Sequence, residues 1–187
     1  MLTIHRARGL RPDGAPGTPV RPGHAVLVDG ARVAATGPYE ELAAAHGERA
    51  RVRTWDGVLT PGRHEPDAVA LLESAYWPDP REAGELGTDP LTGDALTALG
   101  MTDTRWGAAA RRGIQRLLAA GTTSLAGPFT RPAVRTAVAR SGLRVVEGAS
   151  PAPLALVPGA PAAFAVFADD GTCLVTVLDG RLVHRRS

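Results

Sequence analysis

The stretch Arg63-His64-Glu65-Pro66-Asp67 sets an imidazole beside two carboxylates and a guanidinium. Histidine titrates near neutrality, so His64 oriented by Glu65 or Asp67 could act as a general base. The same three side chains could donate to a metal ion, although a single turn rarely supplies a full coordination set. A solvated polar turn is the third reading, since charged residues mostly stay in water. Further on, Glu73, Tyr76, Trp77, Asp79 and Arg81 combine aromatic surface with charge, stiffened by Pro78 and Pro80. That mixture suits a loop that binds a small molecule, and equally a lid packed over an exposed sheet. Thr122-Thr123-Ser124 brings three hydroxyls together. A nucleophilic serine needs a base, for which His64 is the plausible partner, and strand packing is the plainer role. Glu147 ends an apolar strand, where it could face a ligand pocket.

Composition excludes several chemistries. The chain has no lysine, so all 21 basic residues are arginine. Schiff bases, a P-loop lysine and a carbamylated lysine bridging two metals are therefore ruled out. The single Cys173 excludes an intramolecular disulfide and a multi-thiolate zinc site. Its alternating apolar surroundings, Thr172-Cys173-Leu174-Val175-Thr176-Val177, mark it as a buried structural thiol. The formal charge is only +2, and the pI of 9.3 reflects the high pKa of arginine. With 4% aromatic residues and arginines scattered among acids, a nucleic-acid surface is not expected. No apolar run reaches the roughly 18 residues of a membrane span. The start, Met1-Leu2-Thr3-Ile4-His5-Arg6, lacks a signal-peptide core, which leads to the expectation of a soluble cytoplasmic protein.

The elements that must position these residues follow from turn chemistry and periodicity. His24-Ala25-Val26-Leu27-Val28-Asp29-Gly30 and Arg32-Val33-Ala34-Ala35-Thr36-Gly37 read as a hairpin about Asp29-Gly30. A short helix over 38–46 and a half-buried strand over 51–55 follow. Residues 58–72 hold a strand ending at Pro61-Gly62, then a helical turn. From 73 to 104 no period is visible, and a loop this long is functional or mobile. Residues 104–120 form the clearest helix, with Ile114, Leu117 and Leu118 at helical spacing and Gly121 as the stop. Strand 122–126, a helix over 132–141 stopped by Gly142 and strand 143–147 make a βαβ unit with parallel strands. The tail is proline-rich over 151–161 and then β-like about Asp170-Gly171 and Asp179-Gly180. His5, His24, His46 and His184 are expected at surface or turn positions.

The order of these pieces resembles that of the amidohydrolases, in the branch of imidazolonepropionase and aminofutalosine deaminase. Val26-Leu27-Val28-Asp29-Gly30-Ala31-Arg32-Val33-Ala34-Ala35-Thr36-Gly37 is similar to the strand, Asp-Gly and strand that precede the barrel in that family. The segment from Pro158-Gly159 to Phe167, then Val177-Leu178-Asp179-Gly180-Arg181-Leu182-Val183, looks like the part that returns to finish the same β-domain. Leu117-Leu118-Ala119-Ala120-Gly121-Thr122-Thr123-Ser124 resembles the first barrel helix entering the second strand. The resemblance implies an α/β fold: a small composite β-sandwich-like domain (1–57 with 151–187) and a TIM-type β/α barrel over 58–150. A whole barrel takes about 250 residues, so 58–150 has room for about three β/α units. In the family, a Pro-Gly strand end leads into a His-x-His metal pair, and here those two positions fall on Asp67 and Val69. No metal or other cofactor is therefore expected. The expected function is a non-catalytic scaffold for a small-molecule ligand or a partner. The alternative is a metal-independent hydrolase or deaminase of C–N bonds, with His64 as base and Glu65 and Asp67 beside it. Glu73, Tyr76, Trp77, Arg81 and Glu147 are the expected ligand contacts, and a homodimer is expected to cover the open barrel edge.

Overall fold

Alternating apolar residues with Asp-Gly turns build the strands at both ends of the chain, and longer amphipathic runs build the helices between them. In the computed structural model, residues 1–15, 17–147 and 154–186 are described. The first strands are β1 (Leu2–Arg6), β2 (Gly9–Leu10), β3 (Arg21–Pro22), β4 (His24–Asp29) and β5 (Arg32–Pro38). Helix α1 (Tyr39–His46), β6 (Arg51–Thr54), β7 (Val58–Pro61), β8 (Arg63–Glu65) and α2 (Ala68–Glu73) follow. Next come α3 (Ala83–Leu86), α4 (Gly93–Ala98), α5 (Asp103–Ala119), β9 (Thr122–Gly127), α6 (Pro132–Ser141) and β10 (Arg144–Glu147). The last strands are β11 (Phe164–Phe167), β12 (Cys173–Leu178) and β13 (Arg181–Arg185). The fold is thus mixed α/β, with sheets of four, three and six strands. Two compact units divide the chain: residues 1–64, 118–123 and the described residues from 154 onward, and residues 65–117 with the described residues from 124 onward to 147.

The first unit holds a four-stranded sheet, β5-β4-β1-β6, and a six-stranded one, β13-β12-β11-β7-β2-β3. Strand β4 alternates as its pleat demands. Ala25 and Leu27 pack with Ile4 and Leu42 of α1. Val26 and Val28 join Leu10, Leu59, Phe164, Val166, Val175 and Val177 from the second sheet. Side chains of both sheets therefore share one sandwich-like core. The β4–β5 hairpin turns at Gly30, as its Asp-Gly pair predicts. The turn at Gly180 packs on it so closely that an added Cβ would lie 2.0 Å from the Gly30 carbonyl oxygen. Glycine is required there by both contact and a φ of +72°.

Pro61-Gly62 is where the chain changes sheets. Strand β7 pairs antiparallel with β11 and parallel with β2, so residues 58–61 complete the six-stranded sheet. Strand β8, beginning one residue after Gly62, belongs instead to the three-stranded sheet β10-β9-β8. A Cβ on Gly62 would meet the Thr123 side chain at 2.0 Å, while the next amide, Arg63 N–H, donates to the Gly121 carbonyl at 2.9 Å. The small residue is thus fixed by the close approach of Thr123.

In the second unit, β9 and β10 run parallel and α6 connects them, the βαβ unit expected from the sequence. Pro132 starts α6 at its first position, Gly142 ends it in the left-handed conformation, and Val134, Ala137 and Val138 form its buried face. The 73–104 segment departs from the expected loop. It contains a turn of 3₁₀ helix at Pro80–Glu82, helices α3 and α4, and an antiparallel bridge between Tyr76 and Leu91.

His5 also departs from expectation. It is 2% exposed, because its register partner on β4 is Val26, one of the residues in the core shared by the two sheets. The indole Nε1 of Trp55 donates to His5 Nδ1 at 3.2 Å, and the His5 ring meets Phe164 edge-on at 4.9 Å. Burial, with Arg53 adding to it, lowers the His5 pKa from 6.5 to about 4. The unfolded chain therefore binds this proton more readily than the native one. The stability contributed is full above pH 6.5 and is lost as the pH falls toward 4, by about 3 kcal/mol at 1.36 kcal/mol per pKa unit. Urea unfolding at pH 7.5 and 4.5 should show this loss in the parent and a much smaller one in His5→Gln. Equal losses in both proteins would remove His5 as the cause.

Candidate functional site

The strand-end residues come first. His64 and Glu65 are half-buried in β8, and Asp67 is exposed at the start of α2. The Glu65 carboxylate folds back to accept the Asp67 backbone N–H at 3.0 Å, which closes a tight local turn. The Asp67 side chain makes no capping bond to α2. Val69, at the second position that the resemblance assigns to a metal ligand, lies in α2 and offers no donor atom. Among the described residues, no three His, Cys, Asp or Glu side chains gather as a metal ion would require. The described residues do not fit the metal centre that the resemblance implies.

The expected ligand-contact residues are drawn into a network within the second unit. Glu73 is the last residue of α2 and is 6% exposed. Its carboxylate accepts the Thr130 N–H at 2.7 Å, the Thr130 hydroxyl at 2.9 Å and the Arg131 N–H at 2.6 Å. Arg131 is the N-cap of α6 and has no capping side chain of its own. Glu73 therefore supplies a negative charge and acceptors at the start of that helix from a distant part of the sequence. The Arg131 guanidinium returns a bond to the Glu73 carbonyl at 3.2 Å and lies 4.2 Å over the Trp106 ring.

Tyr76 is buried, and its hydroxyl donates a hydrogen bond to the Glu82 carboxylate. Arg105 binds the other oxygen of Glu82 at 2.9 Å and lies 5.0 Å over the Tyr76 ring. Burial and the bond to Glu82 push the Tyr76 phenol above its usual pKa. The bond from Tyr76 and the Asp79 backbone N–H hold Glu82 below the usual carboxylate range. Both shifts keep phenol as donor and carboxylate as acceptor at neutral pH. Asp79 caps the 3₁₀ turn in a reciprocal box with Glu82. Arg112 donates to the Trp77 carbonyl at 2.7 Å and reaches Asp79 at 3.4 Å. Trp77 donates its indole N–H to the Leu71 carbonyl at 2.9 Å, and Arg116 lies 5.1 Å from its ring.

Of the expected contacts, Glu73 and Tyr76 thus lie in the bonded interior of this unit, and Trp77 is half-buried beside them. Arg81 is exposed, with only its backbone N–H tied to Asp79. Glu147 is exposed at the end of β10, lining a separate cavity of about 380 Å³ with Phe129, Arg135 and Val145. Glu82, Arg105, Arg112 and Arg116 join that network without having been among the expected contacts. Two signals carried them: the Asp79-x-x-Glu82 capping spacing after Pro78, and arginines 105, 112 and 116 recurring along α5.

Comparison with known proteins agrees with this architecture. Residues 25–48, spanning β4, β5 and α1, match the bacterial imidazolonepropionase-like composite domain. No curated protein matches the chain in sequence. Among solved structures, E. coli guanine deaminase is similar at 17% identity over 84% of this chain and 39% of that one, with a TM-score of 0.54. The ochratoxinase of A. niger is similar at 18% identity, covering 78% and 30%, with a TM-score of 0.53. An adenosine deaminase from Xanthomonas campestris with bound zinc is similar at 18% identity, covering 83% and 36%, with a TM-score of 0.51. At such identities the likeness is one of fold, and this chain spans less than two-fifths of each of those structures. The chain is amidohydrolase-like in fold and carries an imidazolonepropionase-like composite-domain segment. Among the described residues, no helix is long and apolar enough to cross a membrane.

Glu73→Ala would remove the carboxylate that accepts the Thr130 and Arg131 N–H groups at the start of α6, and losing such a cap costs about 0.5–2 kcal/mol. Urea unfolding should show a loss of roughly 1–2 kcal/mol by that reasoning. A variant as stable as the parent would remove Glu73 as the anchor of α6.

Proposed function

We propose that this chain is a non-catalytic amidohydrolase-like scaffold that binds a small molecule or a partner. On this reading about three β/α units of the barrel remain between the two parts of the composite domain. The supporting observation is the failed fit to a metal centre: the paired histidine positions are Asp67 and Val69, and no donor cluster forms among the described residues. A metal-activated water is the family's route to a strong nucleophile at neutral pH. Without its ligands, His64 with Glu65 and Asp67 would have to activate water alone, at the loss of that electrophilic contribution. Metal content of the purified chain and ammonia release from guanine and adenosine test this. Substoichiometric zinc and iron with no turnover are expected. One tightly held metal per chain would overturn the scaffold reading, as would turnover that His64→Ala abolishes.

The same reading includes a second copy of the chain over the sheet edge at β10. That strand ends the order β10-β9-β8 among the described strands, and its Val145 is 41% exposed. An uncovered edge invites pairing with another chain. Sedimentation equilibrium should give about twice the 19.4 kDa chain mass, and Val145→Asp should return it to the single-chain value. A parent protein that stays at 19.4 kDa across its soluble concentration range would sink the dimer.

A further inference from the structure

One face of α5 carries a groove of about 600 Å³ whose charge is unbalanced. Arg111, Arg112 and Arg116 line it from the helix, and Asp79 is the one carboxylate among its lining residues. Three guanidinium charges thus face a single acid, an excess of two positive charges. Pro78 and Pro80 flank Asp79 and make that wall rigid.

Two of the arginines are fixed by groups that leave most of their charge uncompensated. Arg116 donates to the Thr88 carbonyl at 3.1 Å and lies over the Trp77 ring, both of them neutral partners. Arg112 is held mainly by the Trp77 carbonyl at 2.7 Å, with Asp79 at a longer 3.4 Å. Among the described residues, Arg111 makes no hydrogen bond or ion pair, and it is exposed on the same face. Gln115, one turn from Arg111, adds an amide donor and acceptor to the lining. Guanidinium forks present paired N–H donors that match the oxygens of a carboxylate or phosphate. Prior fixation of Arg112 and Arg116 also lowers the entropy cost of such a contact. The volume lies within the range of small-molecule sites.

We propose that this groove binds a compact dianionic small molecule, a phosphate ester or a dicarboxylate, through Arg111 and Arg116 with Arg112 as the third cation. The assignment rests on the scaffold reading above and gives it a ligand class, at a place apart from His64, Glu65 and Asp67.

Calorimetric titration of the full chain at low salt with pyrophosphate, inorganic phosphate and succinate tests it. One saturable site is expected, weakened about tenfold or more in Arg111→Ala, partly restored in Arg111→Lys and weakened by added salt. Since the Arg111 side chain has no hydrogen-bond or ion-pair partner among the described residues, its alanine variant should melt with the parent, which separates lost binding from lost structure. Tighter binding of inorganic phosphate than of succinate points to a phosphate group as the ligand's anion, and tighter binding of succinate to a dicarboxylate. Three results would overturn the proposal: no saturable binding of any of these at millimolar concentration, binding indifferent to Arg111→Ala, or a poly-glutamate chain binding more tightly than every small dianion. None of these bears on metal content or turnover, so the groove and the scaffold reading fail separately.

Discussion

Antiparallel pairing of β7 with β11 is the constraint on which the rest of the first unit depends. Four residue pairs, Val58–Phe167 through Pro61–Phe164, join segments separated by about a hundred residues of chain. Closing so long a loop costs about 4 kcal/mol in the logarithmic part of its entropy. Burial of Leu59, Phe164 and Val166, all fully inaccessible, contributes about 2 kcal/mol each and offsets it. The intervening residues must accordingly leave and re-enter the six-stranded sheet at neighbouring strands. Gly62 makes the departure possible, because only a residue without a Cβ fits against Thr123 at the point where β7 ends and β8 begins.

Arginine organises the second unit in a way lysine could not. Arg105 bonds Glu82 and stacks on Tyr76, Arg112 bonds a backbone carbonyl and lies 5.4 Å from the same ring, and Arg131 pairs a carbonyl bond with the Trp106 face. Each contact uses a planar cation that both donates in its plane and packs on an aromatic face. With every basic residue an arginine and few aromatic rings in the chain, most of the rings in this unit are covered by one. The 73–104 segment is ordered by these polar ties more than by its own short helices, none of which has a fully buried residue.

What could be read from the sequence was what local chemistry decides. Asp29-Gly30 and Asp179-Gly180 mark real hairpin turns, and the Pro132 and Gly142 signals bound α6 as observed. The parallel β9–α6–β10 unit followed from spacing alone. The burial of His5 is not legible locally, because it depends on a register partner twenty-one residues away and on Phe164 near the other end of the chain. The sequence marks Glu73 as a ligand contact but does not reveal its hydrogen-bond partners in the fold, Thr130 and Arg131, which lie 57 and 58 residues on. The 73–104 segment looked periodless because its order comes from side chains on α5, and no helical stripe records that. Candidate-site residues were thus legible by type but not by partner.

That distinction bears on where function can reside. A carboxylate already accepting several buried donors is poorly suited to a ligand, since binding would first have to break bonds that are costly to leave unmade. Glu73 and Glu82 are in that position, and Glu65 is partly so through its turn with Asp67. Cations held by carbonyls and rings are in the opposite position, because those partners fix geometry while leaving charge to attract an anion. Of the acids that first suggested chemistry, Glu65 closes a local turn and Glu73 holds the start of α6, whereas the Asp67 side chain makes no capping bond. The arginines that hold the fold from α5 retain the electrostatic capacity to bind.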